Sequence, residues 1–187
     1  MKIGVLAIQG DFDAHRRRLQ ELGAEVVLVR KPEQLDDIEG LVIPGGESTT
    51  FLKFLHRDGF LEKLRDFVKV KPAFGTCAGA ILLARQVSNP SQEGLGAIDI
   101  DVRRNAYGRQ LDSFIDQLDS KLGRIEAVFI RAPRIERVGP AVEVLATVKN
   151  DPVLVRQGKL MAATFHPELS DDSTVHAEFL KLCRNGH

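Results

Sequence analysis

The sequence lacks a charge excess of either sign and lacks any long hydrophobic run. Lysine plus arginine and aspartate plus glutamate each number 26 among the 187 residues, so the formal net charge is zero. Without a net charge, no overall field draws the chain to nucleic acid or to an anionic membrane, and we expect neither as a partner. No apolar run is long enough to span a bilayer, which excludes a membrane-spanning helix.

Cysteine is also scarce, since the chain has two, Cys77 and Cys183. Nothing in their setting indicates a disulfide framework, which fits a reducing compartment. A positive charge precedes the apolar residues 3–8, but Gln9 ends that run too early for a signal peptide. We therefore expect the protein to be cytoplasmic.

The first half of the chain alternates between strand and helix signals. Hydrophobic residues make up 43% and charged residues 28% of a chain of this length, which predicts a single domain over residues 1–187 with a sizeable core. The predicted strands are 2–8, 25–29, 41–43 and 72–74, and the predicted helices are 11–22, one capped by Ser48 or Thr49, and 60–68. This order favours an α/β fold with a flavodoxin-like, doubly wound and mostly parallel sheet flanked by helices.

The second half is a series of short β-rich runs. They lie at residues 98–102, 125–130, 142–148, 153–155 and 160–165. We expect them to add antiparallel strands to the sheet. Residues 88–94 predict a surface loop, and a last amphipathic helix follows N-cap candidates at 171–174.

A nucleophile elbow is the strongest local signal. Residues 75–79 have the sequence GTCAG, between a short apolar strand and an apolar stretch of helical character. Glycines on both sides of a central nucleophile permit the sharp turn that exposes it over the sheet. A thiol at a helix N-terminus lies near unpaired N–H groups and the positive end of the helix dipole, and both favour the thiolate. The pattern predicts that Cys77 is a nucleophile.

Four loops follow predicted strands and are expected to meet at the carboxyl edge of the sheet. They are 9–11, 44–48, the Cys77 elbow and 166–168. His166 and Glu168 are two residues apart, and Pro167 favours an extended backbone at His166, so the two side chains can lie together. An imidazole oriented by a carboxylate is what a thiol nucleophile needs as its base.

Each of these pieces has an ordinary structural explanation when taken alone. A cysteine among apolar residues is usually a small buried hydrophobe, which is our interpretation of Cys183. A His-Pro-Glu segment is usually a turn, and Pro-Gly-Gly simply ends a strand. The other histidines have no metal-ligand spacing, so we predict no metal site and assign them to the surface or to helix packing: His15, His56, His176 and His187.

Taken together, the elbow and the downstream histidine and glutamate resemble the triad glutamine amidotransferases. Within that superfamily the chain is similar to the glutaminase subunits of pyridoxal phosphate synthase over nearly its full length. The segments that carry the resemblance are AIQGD (7–11), PGGESTT (44–50), GTCAGAILLA (75–84), RNAYGRQ (104–110), FIRAP (129–133) and FHPEL (165–169).

The resemblance implies a role for each matching residue. Cys77 attacks the side-chain amide of L-glutamine and forms a glutamyl thioester, His166 acts as base and then acid, and Glu168 orients His166. The implied glutamine contacts are Gly46, Glu47, Ser48, Arg104, Ile130 and Arg131. The candidates for the oxyanion hole are backbone N–H groups at Gly46, Ala78, Gln9 and Gly10. No cofactor is implied.

The resemblance also implies a partner. The ammonia passes to the synthase subunit, which builds pyridoxal phosphate, within a large hetero-oligomer. Protonation in water would abolish the nucleophilicity of ammonia, so a protected path to the synthase is expected.

Three alternatives stay open on the sequence. The same triad could serve a different synthase. A cysteine elbow could serve redox sensing or aldehyde chemistry, in which case Glu168 would matter little. A non-enzymatic scaffold would keep Cys77 buried and inert.

Overall fold

Strands and helices alternate through the first half of the computed structural model, which describes residues 1–106 and 113–185. The first half contains β1 (Lys2–Leu6), α1 (Phe12–Glu21), β2 (Glu25–Val29), β3 (Gly40–Ile43), α2 (Ser48–Leu55), α3 (Phe60–Val70), β4 (Ala73–Thr76) and α4 (Ala78–Leu83). The second half contains β5 (Ala84–Ser88), β6 (Ile98–Arg103), β7 (Ser113–Ser120), β8 (Gly123–Ile130), β9 (Arg134–Val138), β10 (Glu143–Val148), β11 (Asp151–Gln157), β12 (Leu160–Ala163) and α5 (Thr174–Asn185). Two 3-10 turns lie at Pro32–Leu35 and Pro167–Leu169.

A nine-stranded sheet runs through the centre of the molecule in the order β2-β1-β3-β4-β12-β11-β10-β7-β8. Five neighbouring strands of this sheet are parallel to one another: β2, β1, β3, β4 and β12. The sheet then continues through antiparallel pairs to β11, β10, β7 and β8. The predicted mostly parallel sheet with added antiparallel strands is therefore confirmed.

Two of the predicted second-half strands do not have the expected pairing. β12 is a central strand that runs parallel to β4, with Leu160 opposite Ala73, rather than an antiparallel addition. Its four residues are buried, as expected of a strand covered on both faces. β6 does not join this sheet at all, because it pairs with β5 and β9 in a separate three-stranded sheet.

Two apolar clusters cover the opposite faces of the large sheet. One contains Phe51 and Leu64 from α2 and α3, and the other contains Leu19 and Phe179 from α1 and α5. Apolar side chains on both faces are what make a doubly wound sheet stable. Among the described residues, no helix combines the length and the apolarity needed to cross a membrane.

The sheet order explains where a site can form. β1, β3, β4 and β12 are neighbours and parallel, so their carboxyl ends lie side by side. The four loops singled out from the sequence follow these four strands directly. The predicted meeting of the loops at one edge is thus confirmed.

Candidate active site

Cys77 occupies a strained turn between β4 and α4. Its φ of 49° and ψ of −105° are unusual for a residue with a side chain, and its backbone N–H donates to the Ala163 carbonyl at 2.9 Å. The flanking glycines are required by close packing. A Cβ at Gly79 would lie 2.0 Å from the Ile43 carbonyl oxygen, and one at Gly75 would lie 2.4 Å from the Gly79 carbonyl oxygen. The turn therefore holds the thiol at the N-terminus of α4, as a nucleophile elbow does.

His166 and Glu168 are buried and bonded to each other. The His166 ring carries a proton on Nδ1 and donates it to Glu168 Oε1 at 2.7 Å. The His166 backbone N–H donates to the Val128 carbonyl at 2.8 Å, so the end of β8 fixes the position of the histidine. The prediction of an extended backbone at His166 is wrong, because its φ of −109° and ψ of 85° lie outside the extended region and a 3-10 turn begins at Pro167.

His166 is held in its charged form. Burial acts to lower its pKa, but hydrogen bonds with Cys77 and Glu168 outweigh burial and raise the pKa to about 10. The raised pKa favours the imidazolium at neutral pH, and Cys77 is among the groups that raise it. An adjacent imidazolium stabilises a thiolate, which is the reactive form of cysteine.

A cavity of about 410 Å³ opens above Cys77 and His166. All six residues that the resemblance implied as glutamine contacts line it. The full lining is Gly10, Asp11, Gly46, Glu47, Ser48, Cys77, Ile81, Arg104, Asn105, Ile130, Arg131, Pro133 and His166. The structure thus brings the predicted nucleophile, base and substrate contacts to one place.

Glu47 is the N-cap of α2. Its Oε1 accepts from the Thr49 N–H at 3.0 Å and its Oε2 from the Thr50 N–H at 2.8 Å. Burial acts to raise its pKa, but these hydrogen bonds outweigh burial and lower it to about 2. The prediction that Ser48 or Thr49 caps this helix is wrong, because Glu47 reaches both N–H groups and Ser48 is already the first helical residue.

The two arginines of the cavity differ in their contacts. Arg104 Nη2 lies 3.5 Å from Glu47 Oε1 and 3.3 Å from Thr49 Oγ1, and its side chain is largely buried. Arg131 is exposed, has a φ of +45°, and forms no ion pair with a residue in the described ranges. Arg131 is therefore available to an anionic group in the cavity. The remainder of the segment RNAYGRQ that begins at Arg104, residues 107–110, lies outside the described residues.

The candidates for the oxyanion hole surround the elbow. Ala78 is the first residue of α4, and Gly46 adopts a φ of +139°. Gln9 Nε2 donates to the Glu47 carbonyl, and a Cβ at Gly10 would lie 1.9 Å from the Gly45 carbonyl oxygen. The 9–11 and 44–48 loops are therefore in direct contact.

Gly45 is a site residue that sequence reasoning missed. A Cβ there would lie 2.6 Å from His166 Cε1 and 3.4 Å from the Cys77 Cβ. Any side chain at this position would displace the imidazole or the nucleophile. The signal was present in the Pro-Gly-Gly turn, but the sequence does not show what lies opposite the glycine.

Two of the histidines assigned to the surface or to helix packing are in fact fully buried behind Glu168. His15 Nε2 lies 3.3 Å from Glu168 Oε2, and His15 Nδ1 lies 2.9 Å from His176 Nε2. His15 falls on the apolar spacing of α1, which was the available signal. His56 is exposed beside Glu93, and His187 lies outside the described residues. Cys183 is buried, as predicted, and burial raises its pKa to about 12.

One group of metal-type donors is present in residues 1–106 and 113–185. Atoms of Asp11, His166 and Glu168 all lie within 4.8 Å of one another. Because His166 and Glu168 bond each other directly, their proximity is explained by that hydrogen bond without an ion.

Comparisons with known proteins agree with this geometry. The model of the SNO glutamine amidotransferase family matches residues 5–185. The pyridoxal 5′-phosphate synthase subunit PdxT of Koribacter versatilis is 68% identical over 100% of this chain and 98% of its own length. That of Thermosipho africanus is 51% identical over 98% of this chain and 100% of its own.

A solved structure also resembles this chain over nearly its full length. A crystal structure described as a glutamine amidotransferase superposes with a TM-score of 0.92 at 47% identity, covering 97% of this chain and 98% of that one. The glutaminase domain of a CTPS from Trypanosoma brucei, at 10% identity and a TM-score of 0.64 over 99% of this chain and 94% of that one, shares the fold. The chain belongs to the SNO glutamine amidotransferase family.

Proposed function

We propose that this chain is the glutaminase subunit of a pyridoxal 5′-phosphate synthase, which hydrolyses L-glutamine to L-glutamate and supplies the ammonia to the synthase subunit. The observation that carries the proposal is that Cys77 and His166 line one cavity and that Nδ1 of His166 is hydrogen-bonded to the Glu168 carboxylate behind them. The family and the identity to PdxT subunits favour this function over a redox protein, an inert scaffold or service to another synthase.

The proposed reaction begins with the thiolate of Cys77 beside the imidazolium of His166. The Cys77 thiolate attacks the side-chain amide carbon of glutamine and forms a tetrahedral oxyanion. As this intermediate collapses, the carbon–nitrogen bond breaks, the His166 imidazolium gives its proton to the leaving nitrogen, and ammonia departs. The product on the enzyme is a glutamyl thioester.

Hydrolysis of the thioester then restores the enzyme. Neutral His166 takes a proton from water, and the resulting hydroxide attacks the thioester carbon. Collapse of the second tetrahedral intermediate breaks the carbon–sulfur bond and releases glutamate, which leaves the thiolate beside the imidazolium. Glu168 keeps the Nδ1 proton in place throughout, so Nε2 is the atom that exchanges protons.

The remaining roles follow from position and charge. We assign the glutamine α-carboxylate to Arg131, because this cation faces the cavity and has no described carboxylate partner. Glu47 and Ser48 shape the opposite side, where Arg104 pairs with Glu47.

The oxyanion is assigned to backbone N–H groups of Ala78 and of the turn at Gly46, with the peptide at Gln9 and Gly10 as a further donor. Removing one such donor typically costs about 10²- to 10³-fold in rate.

We also propose that residues 1–187 act as one glutamine amidotransferase domain in the cytoplasm. Two apolar clusters on opposite faces of the same sheet support the single domain. The two cysteines are both free thiols, which supports a reducing compartment. The working form is a large hetero-oligomer with the synthase subunit.

The test is glutamate release from glutamine, measured with and without the synthase subunit. Wild type is expected to be active and to release glutamate faster with the synthase. Cys77→Ala is expected to fall to background, while the matched variant Cys183→Ala keeps its activity. Full activity of Cys77→Ala would overturn the mechanism, and equal rates with and without the synthase would overturn the activation.

A further inference from the structure

A line of buried polar side chains continues behind the triad. Glu168 uses Oε1 to bind His166, while its second oxygen, Oε2, faces His15 Nε2 at 3.3 Å. His15 in turn contacts His176 through Nδ1 at 2.9 Å and the Thr76 hydroxyl through Nε2 at 3.2 Å. The mechanism above does not use His15, His176 or Thr76.

Glu168 Oε2 needs a donor that the triad does not provide. This oxygen is fully buried and accepts no well-directed hydrogen bond from a residue within 1–106 or 113–185. A buried carboxylate oxygen without a donor is costly. His15 Nε2 lies 3.3 Å from this oxygen and 3.2 Å from the Thr76 hydroxyl, so its one proton lies between two acceptors. Catalytic hydrogen bonds often tighten when substrate binds.

The contact fixes the tautomer of His15. A carboxylate only accepts, so Nε2 must carry the proton, since two lone pairs would otherwise face each other. Nδ1 of His15 is then an acceptor, and His176 Nε2–H donates to it. Nδ1 of His176 then carries no proton. This agrees with its lack of a hydrogen-bond partner among the described residues.

Both histidines remain neutral, which the line requires. Burial, followed by the charges of His176 and His166, lowers the pKa of His15 well below its ordinary value. Burial likewise lowers the pKa of His176 to about 3. His15 therefore faces Glu168 Oε2 as a neutral imidazole at 3.3 Å, and the two do not form an ion pair.

We propose that His15 is a positioning residue of the glutaminase, which holds Glu168 in the orientation that fixes His166, and that His176 holds His15 in the required tautomer. This inference rests on the proposed function. His15 lies on α1, directly after the 9–11 loop, and Thr76 is the residue before the nucleophile. One imidazole therefore contacts the strand that carries Cys77 and the carboxylate that orients its base.

The charged and titratable groups around the line come from several elements. Three such groups lie near His166. They are Cys77 in the elbow, Glu168 in the 3-10 turn that follows His166, and Asp11 in the loop after β1. The charge of Arg18 on α1 lowers the pKa of His176, and the charge of Asp172 in the loop before α5 raises it. Since His15 faces the carboxylate directly, its removal is expected to act on the His166 pKa through Glu168.

The experiment compares two variants of His15 in the complex with the synthase subunit. His15→Leu removes the donor, and His15→Gln retains an amide N–H of similar reach. We expect His15→Leu to lower kcat for glutamate release at least tenfold with little change in KM. The loss stays below the roughly 10⁴-fold that follows removal of a triad carboxylate function. His15→Gln is expected to recover most of the loss.

A pH profile separates positioning from packing. Without the donor, the Glu168 carboxylate is free to rotate away from Nδ1, so the imidazolium is less stable and the pKa of His166 falls from its raised value. The His166 ring should therefore lose its proton, as followed by ring ¹⁵N shifts, at a lower pH in His15→Leu than in wild type. The control is His56→Leu, which removes an exposed histidine that also contacts a carboxylate, and it should match wild type.

A measurement on wild type keeps the proposal testable if His15→Leu does not fold. Ring ¹⁵N shifts of the histidines are expected to show His15 neutral with its proton on Nε2 at neutral pH, because burial lowers its pKa well below the ordinary value. A His15 proton on Nδ1 would overturn the proposal, as would a folded His15→Leu with the kcat and pH profile of wild type. Absence of glutaminase activity in wild type would instead contradict the proposed function.

Discussion

The candidate site has two walls that differ in burial. Cys77, His166 and Glu168 form a buried wall, with at most 9% of any of them exposed. Glu47, Arg104, Ile130 and Arg131 form an open wall in which Glu47, Ile130 and Arg131 are exposed. The groups that must keep one geometry lie in the core, whereas the groups that meet a soluble amino acid lie at the surface.

The difference follows from which elements build each wall. The buried wall follows β4 and β12, two adjacent central strands, and is tied to β8 through the His166 backbone. The open wall comes from the turn after β3, from the segment that follows β6 and from the end of β8 with the residue after it. Changes in the buried wall should therefore lower kcat, and changes in the open wall should raise KM.

The largest effect is expected for Glu168→Gln. The amide no longer stabilises the imidazolium or fixes the Nδ1 proton, so kcat should fall by about 10³- to 10⁴-fold. The pKa of His166 should move down from about 10, because Glu168 is among the groups that raise it. Steady-state kinetics measure the first effect, and the pH dependence of the His166 ring ¹⁵N shifts measures the second.

Glu93→Gln is the matched control, since Glu93 also contacts a histidine, His56, but outside the cavity. It should behave as wild type. Unchanged activity of Glu168→Gln would contradict the claim that changes in the buried wall lower kcat. It would favour a cysteine chemistry that needs no oriented base.

A smaller effect is expected for Gly45→Ala. The new methyl group would overlap the His166 ring, and displacing a catalytic group by about 1 Å can cost 10²-fold. We therefore expect kcat to fall about 100-fold. Gly40→Ala is the control, because Gly40 begins β3, the strand that precedes the Gly45 turn, and a methyl group there would meet Cys183 instead. It should lower the melting temperature with no specific loss of kcat, and equal kcat losses in both variants would contradict the assignment.

Arg131→Met tests the open wall. Loss of a charge-assisted hydrogen bond typically costs about 1.5–3 kcal/mol, so KM for glutamine should rise about 10- to 100-fold. The kcat value should change less than about threefold, because the lost contact is made equally in the ground state and the transition state. Arg85→Met removes an exposed arginine outside the cavity and should leave KM unchanged. A fall in kcat without a rise in KM would place Arg131 with the buried wall.

The smallest effect is expected for the stability of Glu47→Gln. Loss of a helix N-cap costs about 1 kcal/mol, which lowers the melting temperature by about 2–4 °C in a protein of this size. The pKa of Glu47 is lowered from 4.5 to about 2 in the folded state, so its contribution is present above pH 4.5 and is lost as the pH falls toward 2. Melting curves at about pH 7 and pH 3 should show the gap between variant and wild type narrowing, and a gap that widened at low pH would contradict the cap.

The sequence predicts the first half of the fold well because each strand and helix there has its own apolar period. The elbow was visible because Gly75 and Gly79 flank Cys77. By contrast, β7 and β9 carry many polar residues, and β5 follows α4 without a break and is also largely polar, so local patterning did not reveal these strands.

Long-range packing accounts for what the sequence did not reveal in the site. Nothing local distinguishes His15 from another helix-packing histidine, since its contact with Glu168 joins residues far apart in the chain. The close approach of Gly45 to His166 likewise depends on β3 and β12 lying on either side of β4. Such contacts arise from sheet order, which single-sequence patterns do not specify.

The most direct test of the account is peptide mapping of the wild-type complex after reaction with a glutamine-like electrophile. The two cysteines provide an internal comparison, because His166 contacts Cys77 while burial raises the pKa of Cys183 to about 12. We predict a covalent label on Cys77 alone, with glutamine protecting it. A label on Cys183, or no label on Cys77 in an active complex, would contradict the claim that the buried wall carries the nucleophile.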